Sequence, residues 1–213
     1  MNLIFDLDGT IIDSSQGIYE AYRLSIKKFA EPVSMKIFSS FIGPPISDLL
    51  CEIHPNLSEK DTKTTSLIFR ENYDKDYFLK FLPYKNIEKT INTLANKYAL
   101  FLLTNKPTKP AISIIKKMAL QKFFKGIVGI DFFNKKGINK TINLSKLMNH
   151  YDLQQESCIY IGDTISDFVA SKKNGIKFIA HTKGFYSWKK SELESLDYNC
   201  LLYTSDAADE ITG

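Results

Sequence analysis

Two short acidic motifs stand out in this 213-residue chain because each comes directly after an apolar segment. Asp6 and Asp8 follow the apolar residues 3–5, and Asp163 and Asp167 follow another apolar run. Carboxylates serve as nucleophiles, as general acids and bases, and as ligands of Mg²⁺. An isolated Asp-x-Asp-Gly also occurs in calcium loops and polar turns, so its position at the end of a strand is the first feature that favours catalysis.

Polar residues that could bind an anion occupy two further positions. Thr104, Asn105 and Lys106 follow the apolar residues 100–103, and Lys140 stands at the start of an amphipathic stretch. Hydroxyl, amide and ammonium groups donate hydrogen bonds to anionic oxygens. These groups and the acids can act together only if the fold brings the ends of several segments to one place.

The apolar runs alternate with amphipathic stretches, which indicates parallel strands joined by helices. The predicted strands are residues 3–5, 100–103, 127–130, 158–161 and 177–180, and the predicted helices are residues 86–97, 109–119, 141–151 and 165–174. Ligands of such sheets bind at the carboxyl ends of the strands. We therefore expect the Asp6 strand to lie at the centre of the sheet, between the strands that end before Thr104 and Asp163.

Residues 15–82 have helical periodicity throughout and contain no convincing strand. Gly43-Pro44-Pro45 and His54-Pro55 divide this segment into several helices. Because the segment follows the first strand, it is predicted to form a helical cap over the carboxyl edge of the sheet. The predicted domains are a Rossmann-like core of residues 1–14 and 83–199 and a cap of residues 15–82.

The composition is typical of a folded globular protein, with 44% hydrophobic and 24% charged residues and a formal net charge of +4. All but two of the 28 basic residues are lysines, and their scatter predicts no nucleic-acid binding. A mildly basic surface favours a small phosphorylated metabolite as partner. No apolar run reaches about 18 residues, so no membrane association is predicted. The three cysteines lack metal-ligand spacing, which favours reduced thiols in a cytoplasmic monomer or homodimer.

The last residues differ from the rest of the chain. Residues 200–210 resemble the in-frame translation of a transposase sequencing adapter, and lysine is absent after Lys190. Segments of such origin are excluded from reasoning about the fold. Residues 200–213 are therefore predicted to be a non-native tail, and a native chain is expected to continue past Asn199 with one more buried strand.

In their order and spacing, the four motifs together resemble the haloacid dehalogenase superfamily over residues 1–199. Thr104-Asn105-Lys106-Pro107 and Ile42-Gly43-Pro44-Pro45 are similar to the branch that contains phosphoglycolate phosphatases and related nucleotidases. The resemblance implies a doubly wound parallel sheet of the Rossmann-like type with an inserted helical cap. It also implies a phosphoric monoester hydrolase, and it specifies the reaction class better than the substrate.

The resemblance assigns a role to each acid. Asp6 matches the nucleophile that forms an aspartyl phosphate, and Asp8 matches the general acid and base. Three converging carboxylates repel one another unless a cation is bound, and Mg²⁺ is the implied cofactor. Its implied ligands are the Asp6 carboxylate, the Asp8 backbone carbonyl and Asp163, with Asp167 supporting the metal from the next helix.

The remaining motif residues match the positions that bind the phosphate. Thr104 and the backbone amide of Asn105 are expected to donate to phosphate oxygens, and Lys106 is a candidate contact to substrate. Lys140 matches the ammonium group that holds the nucleophile and the phosphate, with Lys136 as the alternative. Gly9 and Thr10, in the loop after the nucleophile, complete the predicted substrate-binding set.

Several functions stay open within this resemblance. Phosphoglycolate, a nucleoside monophosphate, a sugar phosphate and pyrophosphate are all possible substrates. A phosphosugar mutase would usually carry a cap histidine shortly after the nucleophile, where this chain has Gly17-Ile18-Tyr19, so hydrolysis is favoured. A non-catalytic binding protein of the same fold would be free to lose Asp6, Asp8 or the lysine, yet every one of these positions is filled.

Overall fold

The computed structural model describes residues 1–43, 45–75, 77–133 and 139–189, together with the backbone of residues 200–203. The chain falls into two compact units. One unit comprises Met1–Ile12 and Pro83–Gly213, and the other is Asp13–Leu82. The chain therefore leaves the first unit once, shortly after its first strand, and returns to it once.

The first unit contains a six-stranded parallel sheet. The strands of the described residues are β1 (Asn2–Phe5), β2 (Ile12–Asp13), β3 (Leu82–Pro83), β4 (Ala99–Leu103), β5 (Phe124–Val128), β6 (Cys158–Gly162), β7 (Lys177–His181) and β8 (Cys200–Tyr203). The order in the large sheet is β5-β4-β1-β6-β7-β8, and β2 pairs with β3 in a separate two-stranded sheet. The strand that precedes Asp6 therefore lies between β4 and β6, as the sequence predicts.

Helices make the connections that parallel strands require. The α-helices of the described residues are α1 (Ser15–Ile26), α2 (Met35–Ser39), α3 (Ile46–Ile53), α4 (Glu59–Lys75), α5 (Ile87–Ala95), α6 (Thr108–Lys117), α7 (Lys140–His150) and α8 (Ile165–Lys173). From α5 onward, helices and strands of the large sheet alternate along the chain up to β7, which confirms the predicted doubly wound fold class. No helix among these is long and apolar enough to cross a membrane.

Apolar side chains on the central strands hold the sheet against its helices. Ile4, Leu103 and Tyr160 come from three neighbouring strands and share one buried cluster with Leu144 and Leu147 of α7. Burial of a large apolar side chain contributes about 1.5–3 kcal/mol. This packing fixes the ends of β1, β4 and β6 relative to one another, and it also anchors the start of α7.

Strand β5 differs from the prediction of residues 127–130, because it spans Phe124–Val128. Ile130 leaves the sheet and donates its backbone N–H to the carbonyl of Lys106 at 3.1 Å. A side chain at Gly129 would come within 2.6 Å of the same carbonyl oxygen. The end of the predicted segment therefore forms a turn that supports the loop after β4.

Strand β8 lies at the edge of the sheet, where its backbone pairs in parallel with β7 from Phe178–Cys200 to His181–Tyr203. This is the place at which a native chain was expected to add a strand. Backbone pairing needs only N–H and C=O groups, so it is compatible with the predicted non-native origin of this segment. Residues 204–213 of the predicted tail lie outside the described residues.

The second unit is built from α1 to α4 around an aromatic cluster. Tyr22 of α1 is fully buried and stacks on Phe38 with 4.4 Å between ring centroids. Its hydroxyl accepts a hydrogen bond from the Val33 backbone N–H at 3.0 Å and lies 2.8 Å from Nε2 of His54. The aromatic core thus joins α1, α2 and the residue after α3.

Candidate active site

The candidate site begins where the central strands end. Asp6 follows β1 and donates its backbone N–H to the carbonyl of Ile161 at 2.8 Å. Thr104 follows β4 and donates its backbone N–H to the carbonyl of Val128 at 3.0 Å. Continued pairing just beyond the strands holds these polar side chains on a rigid backbone. The carboxyl edge of the sheet therefore presents the first motif beside the residues that follow its two neighbours.

Three acids converge at this edge. Asp6, Asp163 and Asp167 are buried, and one carboxylate oxygen of each lies within 4.8 Å of the others. Oδ1 of Asp6 is buried and has no hydrogen-bond partner. Burial raises the pKa of Asp6 well above its ordinary value, against the effect of Lys140 and with reinforcement from the neighbouring carboxylates. Ionisation of all three carboxylates therefore requires positive charge close to them.

Lys140 supplies part of that charge. Its Nζ lies 3.1 Å from Oδ2 of Asp6 and 2.5 Å from Oδ1 of Asp167. Burial alone would lower the pKa of Lys140, but the carboxylates of Asp167 and Asp6 outweigh burial and raise it above its ordinary value. Lys140 begins α7, which is capped by Asn139 through a 3.0 Å hydrogen bond from the Ile142 N–H. The alternative, Lys136, lies outside the described residues.

Asp167 is held by the start of its own helix. Its Oδ2 accepts from the backbone N–H of Thr164 at 2.9 Å and from the Thr164 hydroxyl at 2.6 Å. The Thr164 side chain in turn caps the Asp167 N–H, which completes a capping box at α8. Because Oδ1 is bound by Lys140, both oxygens of Asp167 already have partners. This arrangement is suited to orienting Lys140.

Asp163 is held by two donors from different loops. Thr10 donates its hydroxyl to Oδ1 at 3.2 Å, and the backbone N–H of Phe185 donates to Oδ2 at 2.8 Å. Burial, followed by the charge of Asp167, raises the pKa of Asp163 to about 7 in the absence of a metal. Gly9 adopts a φ of +80°, and a side chain there would come within 2.5 Å of the Asp163 carboxyl carbon. Gly9 and Thr10 thus both lie against Asp163.

Asp8 lies in a more open part of the site. Its Oδ2 is 3.3 Å from Nζ of Lys106, and its side chain is 22% exposed whereas that of Lys106 is 5% exposed. Lys106 is therefore a buried partner of the second acid in the motif. Its backbone is fixed at both ends, because its N–H donates to Oγ1 of Thr104 at 3.1 Å and its carbonyl accepts from Ile130.

Thr104 is 2% exposed and accepts the Lys106 N–H through its hydroxyl oxygen. An acceptor role leaves the hydroxyl proton available for a donor role toward an anion. Asn105 is exposed, which is compatible with a contact made through its backbone amide. The structure thus places all the predicted site residues along one edge of a single unit, with Thr104 and Asn105 at the end of β4.

A sequence model of the haloacid dehalogenase-like hydrolases matches residues 3–181, which is most of the chain. The chain belongs to this family. It is 29% identical over 177 residues to a phosphoglycolate phosphatase of Aquifex aeolicus, with 82% of this chain and 81% of the relative covered. It is 25% identical over 189 residues to a 5'-nucleotidase of Pseudomonas aeruginosa, covering 87% and 84%. The pyrophosphatase PpaX of Halalkalibacterium halodurans is 27% identical, covering 82% and 80%.

Solved structures of the haloacid dehalogenase-like family have the same fold. A family hydrolase from Streptococcus pneumoniae superposes with a TM-score of 0.84 at 25% identity, covering 100% of this chain and 98% of that one. A predicted phosphatase from Clostridium acetobutylicum superposes with a TM-score of 0.83 at 26% identity, covering 99% and 97%. Together with the phosphatase relatives, these matches confirm the expected reaction class, a phosphoric monoester hydrolase.

The donor set of this haloacid dehalogenase-like site fits a magnesium ion. Mg²⁺ prefers carboxylate oxygens and retains water ligands, and the cluster offers the free Oδ1 of Asp6 next to Asp163. Burial of these acids penalises their charge, and a divalent cation offsets that penalty. Asp167 is close enough to join the set, although its two oxygens already bind Lys140 and Thr164.

Residues at the end of β7 and directly after it also contribute to the site, and the sequence motifs did not predict them. The backbone N–H of Phe185 binds Asp163, and the ring of His181 binds the carbonyl of Gly9 at 2.7 Å. A backbone donor leaves no residue-type signal, because every residue except proline provides one. The only available signal was Gly184, a glycine shortly after a predicted strand.

Proposed function

We propose that this protein is a Mg²⁺-dependent phosphatase that hydrolyses a small phosphomonoester through an aspartyl phosphate on Asp6. The observation that carries the proposal is the state of the Asp6 carboxylate. One of its oxygens is fixed by Lys140, and the other is buried without a partner at the edge where three acids meet. A carboxylate held at one oxygen keeps a single orientation for attack, and a cation bound beside it would balance the charge of its neighbours.

Asp6 acts as the nucleophile in this proposal. Its carboxylate attacks phosphorus, the ester oxygen departs, and the phosphoryl group is transferred to Asp6. Lys140 keeps the carboxylate in one orientation by binding Oδ2, and Asp167 keeps Lys140 in place. Preorganised charges of this kind stabilise a transition state without reorganising during the reaction.

Asp8 acts as the general acid and base. It protonates the departing oxygen and later removes a proton from the water that hydrolyses the aspartyl phosphate. Its partial exposure suits both steps, because the residue must reach a substrate oxygen and then a water molecule. Lys106 holds the Asp8 side chain and contributes a positive charge to the substrate side of the site.

Mg²⁺ would be held by Asp6, by Asp163 and by the backbone carbonyl of Asp8, with Asp167 supporting the set. When bound, it would neutralise charge on the transferring phosphoryl group and on the acid cluster. The chain prepares this site by fixing Asp163 on both oxygens, through Thr10 and Phe185. Fixed ligands lose little conformational freedom when a metal binds.

The non-bridging phosphate oxygens are bound by the donors at the end of β4 and by Lys140. Thr104 offers a hydroxyl proton, and Asn105 offers a backbone amide. Gly9 and Thr10 complete the binding loop after Asp8. These contacts recognise the phosphate alone, so they leave the rest of the substrate to be recognised elsewhere.

We propose that the helical unit, residues 13–82, is a cap that selects the substrate. The proposal is supported by its insertion after β1 and by the range of relatives, which include a phosphoglycolate phosphatase and a 5'-nucleotidase. Phosphoglycolate, a nucleoside monophosphate and a sugar phosphate are the candidate substrates. Hydrolysis of pyrophosphate is the second candidate function, because PpaX is among the relatives.

Rapid acid quenching tests the proposed intermediate. The protein is mixed with each candidate substrate labelled in its phosphate, in Mg²⁺ and in excess EDTA. We expect label on the protein only with Mg²⁺, and peptide mapping should locate it on Asp6. The Asp152→Asn variant is a matched control, because Asp152 is exposed in the turn after α7, outside both the site and the helical unit. Turnover in EDTA, or label on another residue, would overturn the proposal.

A further inference from the structure

The last residue of β7 and the residues directly after it make three separate contacts with the candidate site. The Phe185 N–H donates to Oδ2 of Asp163 at 2.8 Å. Nδ1 of His181 lies 2.7 Å from the carbonyl oxygen of Gly9. Gly184 lies between these contacts, against both Asp163 and Gly9. One short stretch of chain therefore touches a proposed metal ligand and the loop that follows the nucleophile.

Gly184 is required here by the closeness of its neighbours. A Cβ atom at this position would lie within 2.5 Å of the Gly9 carbonyl oxygen and closer still to Cβ of Asp163. Neither neighbour is the far end of a flexible side chain, so neither can move aside without shifting backbone. Any side chain at position 184 must therefore displace Asp163, Gly9 or the segment itself.

The His181 contact has a defined direction. A carbonyl oxygen only accepts hydrogen bonds, so Nδ1 of His181 carries the proton and donates to Gly9. The ring is buried and packs edge-on against Tyr84 with 4.8 Å between centroids. The donor is therefore held in place by packing, and it fixes a carbonyl one residue after Asp8.

We infer that residues 181–185, here called the positioning segment, set the affinity of the site for Mg²⁺ by holding Asp163 and the Asp8–Gly9 loop together. The inference rests on the proposed function, since it assumes that Asp163 and the Asp8 carbonyl bind the metal. The residues of the segment are positioning residues, because they act through the groups that would touch the ion. Outer contacts of this kind commonly change metal affinity or activity by about 10–100-fold.

The Gly184→Ala variant tests the close approach. Calorimetric titration with Mg²⁺, on protein freed of metal by EDTA and dialysis, should give a dissociation constant about 10-fold or more above that of the wild type. The matched control is Ser187→Ala, because Ser187 is exposed two residues beyond the segment. Its affinity should equal that of the wild type. Equal Mg²⁺ affinity in Gly184→Ala and wild type would overturn the inference.

A pair of variants at His181 separates positioning from packing, and it decides the question if Gly184→Ala does not fold. His181→Asn retains a donor near the place of Nδ1, whereas His181→Leu fills the space without a donor. We expect the Leu variant to bind Mg²⁺ about 10-fold more weakly than wild type and the Asn variant to recover most of the affinity. Equal weakening in both variants would mean that the hydrogen bond donated by His181 does not set the affinity, and would contradict the inference.

Two readouts keep this test apart from that of the proposed function. Fluorescence of Trp188, the single tryptophan, reports whether the backbone beyond the segment is disturbed, because Trp188 packs against Phe178 at 6.1 Å. Wild-type protein that binds no Mg²⁺ would remove the basis of both proposals. Wild-type protein that binds Mg²⁺ alongside unaffected segment variants would remove only the positioning role.

Discussion

The site contains two lysine–aspartate pairs that differ in their surroundings. Lys140 is buried with Asp6 and Asp167, and its ammonium group touches both acids. Lys106 is buried too, but its partner Asp8 is 22% exposed and 3.3 Å away. The first pair suits a charge that stays constant, whereas the second leaves one acid able to reach solvent and exchange a proton. The difference in burial fits the different roles proposed for Asp6 and Asp8.

The largest effect is expected from Lys140 and its buried partner Asp6, here called the closed pair. Asp6→Asn removes the oxygen proposed to attack phosphorus and the negative charge that Lys140 balances, so turnover of every substrate should fall by at least about 10⁴-fold. Steady-state kinetics with a panel of phosphate esters measures this loss. Asp152→Asn should keep wild-type turnover. Residual activity above a hundredth of wild type in Asp6→Asn would contradict the nucleophilic role.

Lys106 and its partly exposed partner Asp8, here called the open pair, should affect a different step of the reaction. Asp8→Asn removes only the proposed proton transfer, a type of catalysis that commonly contributes about 10²–10⁴-fold. With an aryl phosphate the leaving group needs little protonation, so attack by Asp6 should persist while hydrolysis of the intermediate slows. Stopped-flow absorbance should record a burst of one phenolate per enzyme. Steady turnover without a burst would show that the two acids do not divide the reaction in this manner.

Replacement of Lys140, the lysine of the closed pair, should affect both catalysis and stability. Lys140→Met leaves Asp6 and Asp167 buried without their partner, which commonly costs about 3–5 kcal/mol of unfolding free energy. Turnover should fall by about 10²–10³-fold, as for the loss of an electrostatic donor. Urea unfolding in EDTA and in Mg²⁺ measures the loss of unfolding free energy. We expect Mg²⁺ to restore part of the lost stability, and equal stability of variant and wild type in EDTA would refute the pairing.

Replacement of Lys106, the lysine of the open pair, should have a smaller effect. Lys106→Gln retains length and hydrogen-bonding capacity but loses the charge beside Asp8. We expect kcat/KM to fall about 10-fold, because a hydrogen bond to a charged group is worth about 1.5–3 kcal/mol and Asp8 is partly solvated. A loss as large as that of Lys140→Met would mean that the two pairs are equivalent.

The stability of the metal-free protein should depend on pH through Asp163, which lies beside the closed pair. The pKa of Asp163 is raised by burial and by Asp167 to about 7, above its ordinary value of 3.8. The folded state therefore holds this proton more tightly than the unfolded state. Stability in EDTA should be greatest below about pH 4 for this group, decline up to about pH 7, and stay level above that.

Urea unfolding from pH 4 to pH 8 measures this effect, and the difference from Asp163→Asn isolates it from other titrating groups. Mg²⁺ requires the ionised carboxylate, so Mg²⁺ affinity should rise from pH 6 to pH 8 with release of a proton. A wild type and an Asp163→Asn variant with parallel stability profiles in EDTA would contradict the raised pKa.

The sequence was informative where a residue type and a strand end coincide. Asp6, Thr104 and Asp163 could be placed on neighbouring strands because apolar runs predict parallel strands, whose carboxyl ends share an edge. Lys140 could be placed because helical spacing follows it. In each case a side chain with distinctive chemistry lies at a position that periodicity alone predicts.

The parts that could not be predicted depend on backbone groups and on burial. The Phe185 contact to Asp163 uses an N–H that any residue but proline would provide, so residues 181–185 carried no motif. The burial of Lys106 depends on the turn at Gly129 and Ile130, whose apolar character extended the predicted β5 by two residues. Close backbone approaches of this kind arise from tertiary packing, which periodicity does not report.

The paired strands β2 and β3 have a consequence for how such proteins diversify. The backbones of Ile12–Asp13 and Leu82–Pro83 are hydrogen-bonded neighbours, so residues 13–82 begin and end at adjacent points. Inserted domains whose termini lie close together can be exchanged without stretching the host fold. Residues 13–82 can therefore be shortened, lengthened or replaced during evolution without changing the residues at the carboxyl edge of the sheet.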